Sequence, residues 1–277
     1  MAEEVLSEVD RGRARITLNR PEKRNALDEA TLEALGQALW RADDDTRVHA
    51  VILRGAGVDF CSGYDMAGPA EPAGADQRGR RSFDDDAWRL ERLQRLRMAI
   101  FDMHKPVVAQ VHGRCLAGGT DLALLCDMVI CADDARFGFP PVRSQGSPPN
   151  HMWVYLVGPQ WAKRLLLTGD SVLGSDAARI GLVLKSVPPD LLEAEVEALA
   201  DRLALVDPDL LSANKRIVNL ALELMGARTL QRLAAETDAR GHLAGSRAAF
   251  AETAGQRGLK EALRERDAPF GEGLARP

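Results

Sequence analysis

Apolar and polar positions along the chain change period several times, and each change predicts an element. Arg13 to Asn19 alternates polar and apolar residues, as a half-buried strand does. Val48 to Arg54, Val107 to Val111 and Met128 to Ala132 are short apolar runs, which read as buried strands. Between the first two, Asp28 is placed to cap a helix reaching about Trp40, with Leu32, Leu35 and Leu39 on one face. Trp88 to Met103 returns to helical spacing. Between them, Ala67 to Asp86 is rich in Gly, Pro, Ala and acids, and reads as a long mobile loop over the mouth of a site. Beyond Pro188 the strand signals fade. Leu191–Leu205, Asp209–Leu224, Thr229–Ala251 and Gly258–Arg266 carry amphipathic helical patterns, punctuated by Pro208 and Gly226. The pattern therefore predicts an α/β core followed by a helical C-terminal region.

Two glycine turns hold the candidate chemistry. The strand Pro106–Val111 runs into His112-Gly113-Arg114-Cys115-Leu116-Ala117-Gly118-Gly119-Thr120-Asp121, and an apolar helix opens at about Gly118. Glycines there allow a sharp bend and a close approach of ligand to backbone. A helix N-terminus adds free N–H groups and partial positive charge. Asp121 sits one turn in, where a carboxylate can face the same space. Upstream, Phe60-Cys61-Ser62-Gly63-Tyr64-Asp65-Met66 follows the Val48–Arg54 strand, and Gly63 breaks the chain before a helix-like start. Two such turns together can place two amide donors around one oxygen, which is an oxyanion hole. Singly, each also reads as an ordinary turn of an α/β fold.

At this point the chain resembles the crotonase, or enoyl-CoA hydratase/isomerase, superfamily over most of its length. Ile16-Thr17-Leu18-Asn19-Arg20-Pro21-Glu22-Lys23-Arg24-Asn25-Ala26-Leu27 is similar to the family's N-terminal signature. Phe60 to Met66 and His112 to Asp127 are similar to its two oxyanion segments, and Phe137-Gly138-Phe139-Pro140, Leu167–Asp170 and Ala177–Val183 to later landmarks. The resemblance implies a crotonase-like spiral of β-β-α turns (1–203) carrying a CoA-ester site, followed by a helical oligomerisation region (204–277). It implies a homotrimer or homohexamer, and a coenzyme A thioester as substrate with no other cofactor. The amides of Tyr64 and Gly118 would hold the thioester oxygen as enolate charge develops, and Asp121 would handle the proton. The Tyr64 ring, bulkier than the small residue usual there, is expected to fill the pocket wall, the alternatives being that its phenol narrows the acyl pocket or donates a further hydrogen bond. Lys23, Arg24 and Ala26 fall on the segment that touches the adenosine and phosphate end, and Ser62, Asp65 and Met66 on the same channel. Glu265 stands about where some relatives place a basic residue, with Arg264 or Arg266 as replacements.

One departure matters. Pro141 occupies the place of the second catalytic glutamate, and proline transfers no proton. His151 is the candidate substitute, since a histidine near neutral pKa serves as base or acid. Arg143 reads as an ion-pair or surface residue. The leading expectation is a hydratase/isomerase-type enzyme, most readily a lyase. The alternatives are a CoA-ester hydrolase or carbon–carbon lyase on the same scaffold, or a scaffold that binds CoA esters without catalysis.

Charge and composition trim the picture further. A net charge of -5 and a pI near 5.6 disfavour a nucleic-acid binder. No apolar run reaches membrane-spanning length, and Met1-Ala2-Glu3-Glu4 is unlike a signal or transit peptide. Cys61, Cys115, Cys126 and Cys131 lack C-x-x-C spacing and read as reduced core thiols, which suits a cytoplasmic location. The five histidines show no metal-ligand spacing, so no metal site is expected.

Overall fold

The computed structural model describes residues 3–66 and 82–277. The apolar runs become the strands of a six-stranded sheet: β1 (Val5–Asp10), β2 (Arg13–Leu18), β3 (Ala50–Gly55), β4 (Val107–Val111), β6 (Met128–Ala132) and β9 (Lys185–Val187). They lie in the order β1-β2-β3-β4-β6-β9. Only the β1–β2 hairpin is antiparallel; the remaining pairs are parallel. All five residues of β4 are buried, as a central parallel strand covered on both faces requires. A smaller sheet joins β5 (Arg114–Leu116), β7 (Arg136–Gly138) and β8 (Ser171–Leu173), in that order.

Helix α1 (Glu29–Asp44) starts where its cap predicts, with the Asp28 carboxylate accepting the Thr31 N–H, and runs one turn beyond Trp40. Helix α2 (Phe83–Asp102) begins earlier than the sequence pattern suggests. The Ser82 hydroxyl accepts the Asp85 N–H, and Asp84, Asp85 and Asp86 fill the first turn, so acids that resemble loop composition instead complement the helix dipole. Of the loop expected over 67–86, residues 82–86 therefore belong to a helix start, and 67–81 lie outside the described residues.

Helix α3 (Gly118–Ala123) follows β5 and is buried throughout. Next come α4 (Trp153–Thr168), kinked at Gly158–Pro159, and α5 (Gly174–Arg179). Helix α6 (Leu192–Ala204) packs on β3, β4 and β6. The C-terminal region holds α7 (Pro208–Leu224), α8 (Ala227–Gly241), α9 (Gly245–Arg257) and α10 (Leu259–Asp267). The helix anticipated over Thr229–Ala251 is two helices, because the chain turns at 242–244. Helix α8 packs along α2, which carries the C-terminal region onto the back of the site. Among the described residues no helix is long and apolar enough to cross a membrane.

Candidate active site

The two glycine turns meet. Segment 60–64 threads between β5 and the loop after Lys23. On one side the Phe60 and Cys61 N–H groups donate to the carbonyls of His112 and Arg114, and the Leu116 N–H donates to Cys61. On the other, the Leu27 N–H donates to Gly63 O and the Asp65 N–H to Leu27 O, each at 2.8 Å. This pairing turns the Tyr64 amide away from Leu27. Among the described residues neither the Tyr64 nor the Gly118 N–H donates to a backbone carbonyl. A Cβ built on Gly63 would lie 3.7 Å from the Gly118 nitrogen, so the two segments are in van der Waals contact where those amides sit.

The glycines work differently from the sequence expectation. Gly63 does take a left-handed backbone, at φ +117°. Gly118 and Gly119 are ordinary helical residues, and space is what excludes a side chain there. A Cβ on Gly119 would come within 2.6 Å of the Cys61 carbonyl, and one on Gly118 within 3.0 Å of the Tyr64 ring. The sharp bend falls on Ala117, at φ +49° and ψ -118°, a conformation costing an alanine about 1–3 kcal/mol. Nor does a helix start directly after Gly63: Tyr64 is bridged to Leu27, and no helix intervenes before Met66.

Asp121 lies on α3, 2 % exposed. The Tyr64 hydroxyl donates to its Oδ2 at 2.6 Å, while Oδ1 has no partner. Burial drives the Asp121 carboxyl up to about 7. The Arg97 guanidinium and the Tyr64 hydrogen bond both oppose that rise. Burial holds the Tyr64 phenol well above its ordinary value, so it remains a donor. The phenol is therefore more than wall: it fixes one oxygen of the buried acid, while the other is buried without a hydrogen bond.

The remaining sequence candidates divide into two groups. Lys23, Arg24, Ala26, Ser62 and Asp65 come together: the Ser62 N–H donates to Arg24 O, and Lys23 Nζ and Arg20 Nη2 each lie 2.9 Å from Asp65 Oδ2. Arg24 is largely exposed, Ala26 is buried, and Met66 is half exposed at the end of the segment. Pro141, in a single turn at Pro140–Arg143, accepts the N–H groups of Ser144, Gln145 and Gly146 and shapes that corner. His151 is pinned through its backbone, its N–H donating to Gln231 Oε1 at 2.9 Å. Its Nδ1 has no partner, burial lowers its pKa, and no hydrogen bond joins it to Asp121 or Tyr64. Arg143 is structural, paired with Asp170 and Asp267 and stacked on Phe270. Glu265 is paired with Arg257, Arg264 with Glu261 and Arg266 with Asp267. All four cysteines are free and buried. Among the described residues no group of three acids, histidines or cysteines is arranged to hold a metal. Two clefts, of about 710 and 450 Å³, lie elsewhere, on α9–α10 and between α2 and α8.

Two buried groups behind the site escape the motif reading. Arg97 on α2 donates through Nε to Asn150 Oδ1 at 2.5 Å, and its guanidinium stands 5.6 Å from the Tyr64 ring centre. Asp238 on α8 accepts the Ser147 N–H and faces His242, with its carboxyl raised by burial to about 6. Arg97 left a signal: with Leu90, Gln94 and Phe101 it falls on the buried row of α2, where a charge is out of place.

This geometry can be set beside known proteins. The family model for enoyl-CoA hydratase/isomerase matches residues 8–257. The chain belongs to that family. It is 35% identical over 205 residues to the crotonyl-CoA hydratase of Syntrophomonas wolfei, covering 73% of this chain and 75% of the relative. Against the short-chain-enoyl-CoA hydratase of Clostridium acetobutylicum it is 32% identical over 223 residues, covering 79% and 82%. A crystal structure of an enoyl-CoA hydratase from Mycobacterium smegmatis superposes with a TM-score of 0.92 at 36% identity, covering 97% of this chain and 94% of that one. The fold is the crotonase fold with its helical C-terminal region, and the protein is an acyl-CoA-processing enzyme of hydratase/isomerase type.

Proposed function

We propose that this member of the enoyl-CoA hydratase/isomerase family adds water across the α,β double bond of an enoyl-CoA thioester, with Asp121 as its one acid/base. The observation that carries the reading is the Tyr64–Asp121 hydrogen bond beside the two unengaged amides. The thioester oxygen accepts the Tyr64 and Gly118 N–H groups. Asp121, ionised, takes a proton from water through its unpartnered oxygen, Oδ1, as that water's oxygen bonds Cβ. The Cα=Cβ electron pair moves into the thioester, and the negative charge collects on the oxygen held by the two amides. Asp121 then returns the proton to Cα. A single carboxylate closes the cycle, so the proline at 141 and a neutral His151 are accommodated.

The coenzyme A moiety lies along Lys23, Arg24, Ala26, Ser62, Asp65 and Met66 and arrives as part of the substrate, so the reaction needs no resident cofactor or metal. We place the enzyme in the cytoplasm, as a homotrimer or homohexamer joined through residues 204–277. The exposed apolar row Leu210, Ile217, Val218, Leu220 and Leu224 on α7 supports that assembly.

Hydration of crotonyl-CoA, followed by loss of enoyl absorbance across a pH series, tests the reading. Activity is expected to rise with pH through about 7 as Asp121 ionises. In Tyr64→Phe the midpoint moves to higher pH, because the lost hydrogen bond had favoured the carboxylate. A pH-independent rate in both proteins removes Asp121 from the chemistry. A second reading, ester hydrolysis or carbon–carbon cleavage, draws on Pro141 in place of an acid. Free thiol without water addition would favour it, and binding without turnover would favour a non-catalytic scaffold.

A further inference from the structure

Arg97 differs from the other deeply buried arginines of this chain. Arg13 has Glu197 and Asp201, Arg20 has Asp28 and Asp65, and Arg143 has Asp170 and Asp267. Arg97 is only 1 % exposed, yet no carboxylate among the described residues lies within ion-pair distance. Its hydrogen bond through Nε goes to a neutral amide, Asn150, and its Nη2 has no partner at all. Asp121 feels its charge, but no acid among the described residues bonds it, and a buried guanidinium nitrogen left without a partner carries a desolvation penalty, which a bound anion would recover.

Its position says where that anion comes from. The guanidinium is 5.6 Å from the Tyr64 ring centre, and that ring touches Gly118 and hydrogen-bonds Asp121. Arg97 thus stands one ring away from both the amides and the acid. Asp121 is close enough to feel the Arg97 charge, yet the two make no hydrogen bond: Asp121 Oδ1 and Arg97 Nη2 are each without a partner. His151, next to Asn150, adds another unpartnered nitrogen, Nδ1.

We propose that Arg97 receives a carboxylate at the far end of a short acyl chain, making enoyl-CoA half-esters of dicarboxylic acids the preferred substrates. This rests on the acyl-CoA reading of the site. Asn150 holds the guanidinium by Nε and leaves Nη2 for the substrate.

Calorimetric titration with two saturated five-carbon esters, glutaryl-CoA and pentanoyl-CoA, tests the proposal without requiring turnover. Wild type is expected to bind glutaryl-CoA at least roughly 30-fold more tightly. Arg97→Gln should lose most of that ratio while keeping its pentanoyl-CoA affinity. Equal or tighter binding of pentanoyl-CoA by wild type overturns the proposal, as does an equal loss for both esters in Arg97→Gln, which would mark Arg97 as a positioning residue. If Arg97→Gln does not fold, the wild-type ratio still decides. Hydration of glutaconyl-CoA and 2-pentenoyl-CoA is assayed alongside. Failure of both to react sinks the hydratase reading alone, because the binding ratio is read independently.

Discussion

Asp121→Asn is expected to lower the hydration rate about 10³-fold and, at the same time, to make the folded protein more stable above neutral pH. The two effects have one origin. Burial raises the Asp121 carboxyl from 3.8 to about 7. Between those values the unfolded chain has lost the proton that the folded chain still holds, so folded stability falls as pH rises, and the full penalty stands above about 7. Asparagine never ionises, and its side-chain oxygen still accepts the Tyr64 hydroxyl. The gain should be absent near pH 4 and reach about 2 kcal/mol near pH 8, with ~4 kcal/mol as the ceiling set by the size of the shift. Urea midpoints at the two pH values, beside kinetics with an enoyl-CoA, check both parts. A variant that keeps its activity, or that is destabilised equally at both pH values, contradicts the assignment. A group kept at a cost in stability is what a site selected for chemistry looks like.

Gly63→Ala is expected to be the other severe change. Its backbone, at φ +117°, is one that side-chain-bearing residues rarely adopt, and its new Cβ would stand 2.8 Å from the Ala117 Cβ. Ala117 is already held in an unfavourable conformation and flanks Gly118. The chain can relieve the clash only by moving segment 62–64 away from the start of α3, which separates the Tyr64 and Gly118 amides. Losing one oxyanion donor costs about 10²–10³ in rate, and the backbone strain adds about 1–3 kcal/mol of destabilisation. The rate loss should appear in kcat with every acyl-CoA substrate alike. A normal kcat in a destabilised protein would mean that these amides do not hold the developing charge.

The strands and capped helices were legible because local pattern determines them. Val107–Val111 and Met128–Ala132 are apolar runs bounded by polar residues, and Asp28 is a strong cap; all three features appear where the pattern places them. The start of α2 was not, because Ser82 and three aspartates resemble loop composition until the cap hydrogen bond is seen. The two turns were readable as glycine signatures, yet the strain sits on Ala117, which carries no such signature. Asp121 could be named from its place one turn into α3. Its phenol partner could not, since Tyr64 lies 57 residues away and only the docking of segment 60–64 on β5 brings them together. Arg97 stood in plain view on the apolar row of α2; that no acid among the described residues bonds its Nη2 is something only coordinates reveal.

The most direct measurement is a crystal structure of the protein with a saturated acyl-CoA bound. The thioester oxygen should lie about 2.7–3.1 Å from both the Tyr64 and the Gly118 nitrogens, with Cβ facing Asp121 Oδ1. A thioester held by one of these amides only, or seated in another part of the molecule, would contradict the account.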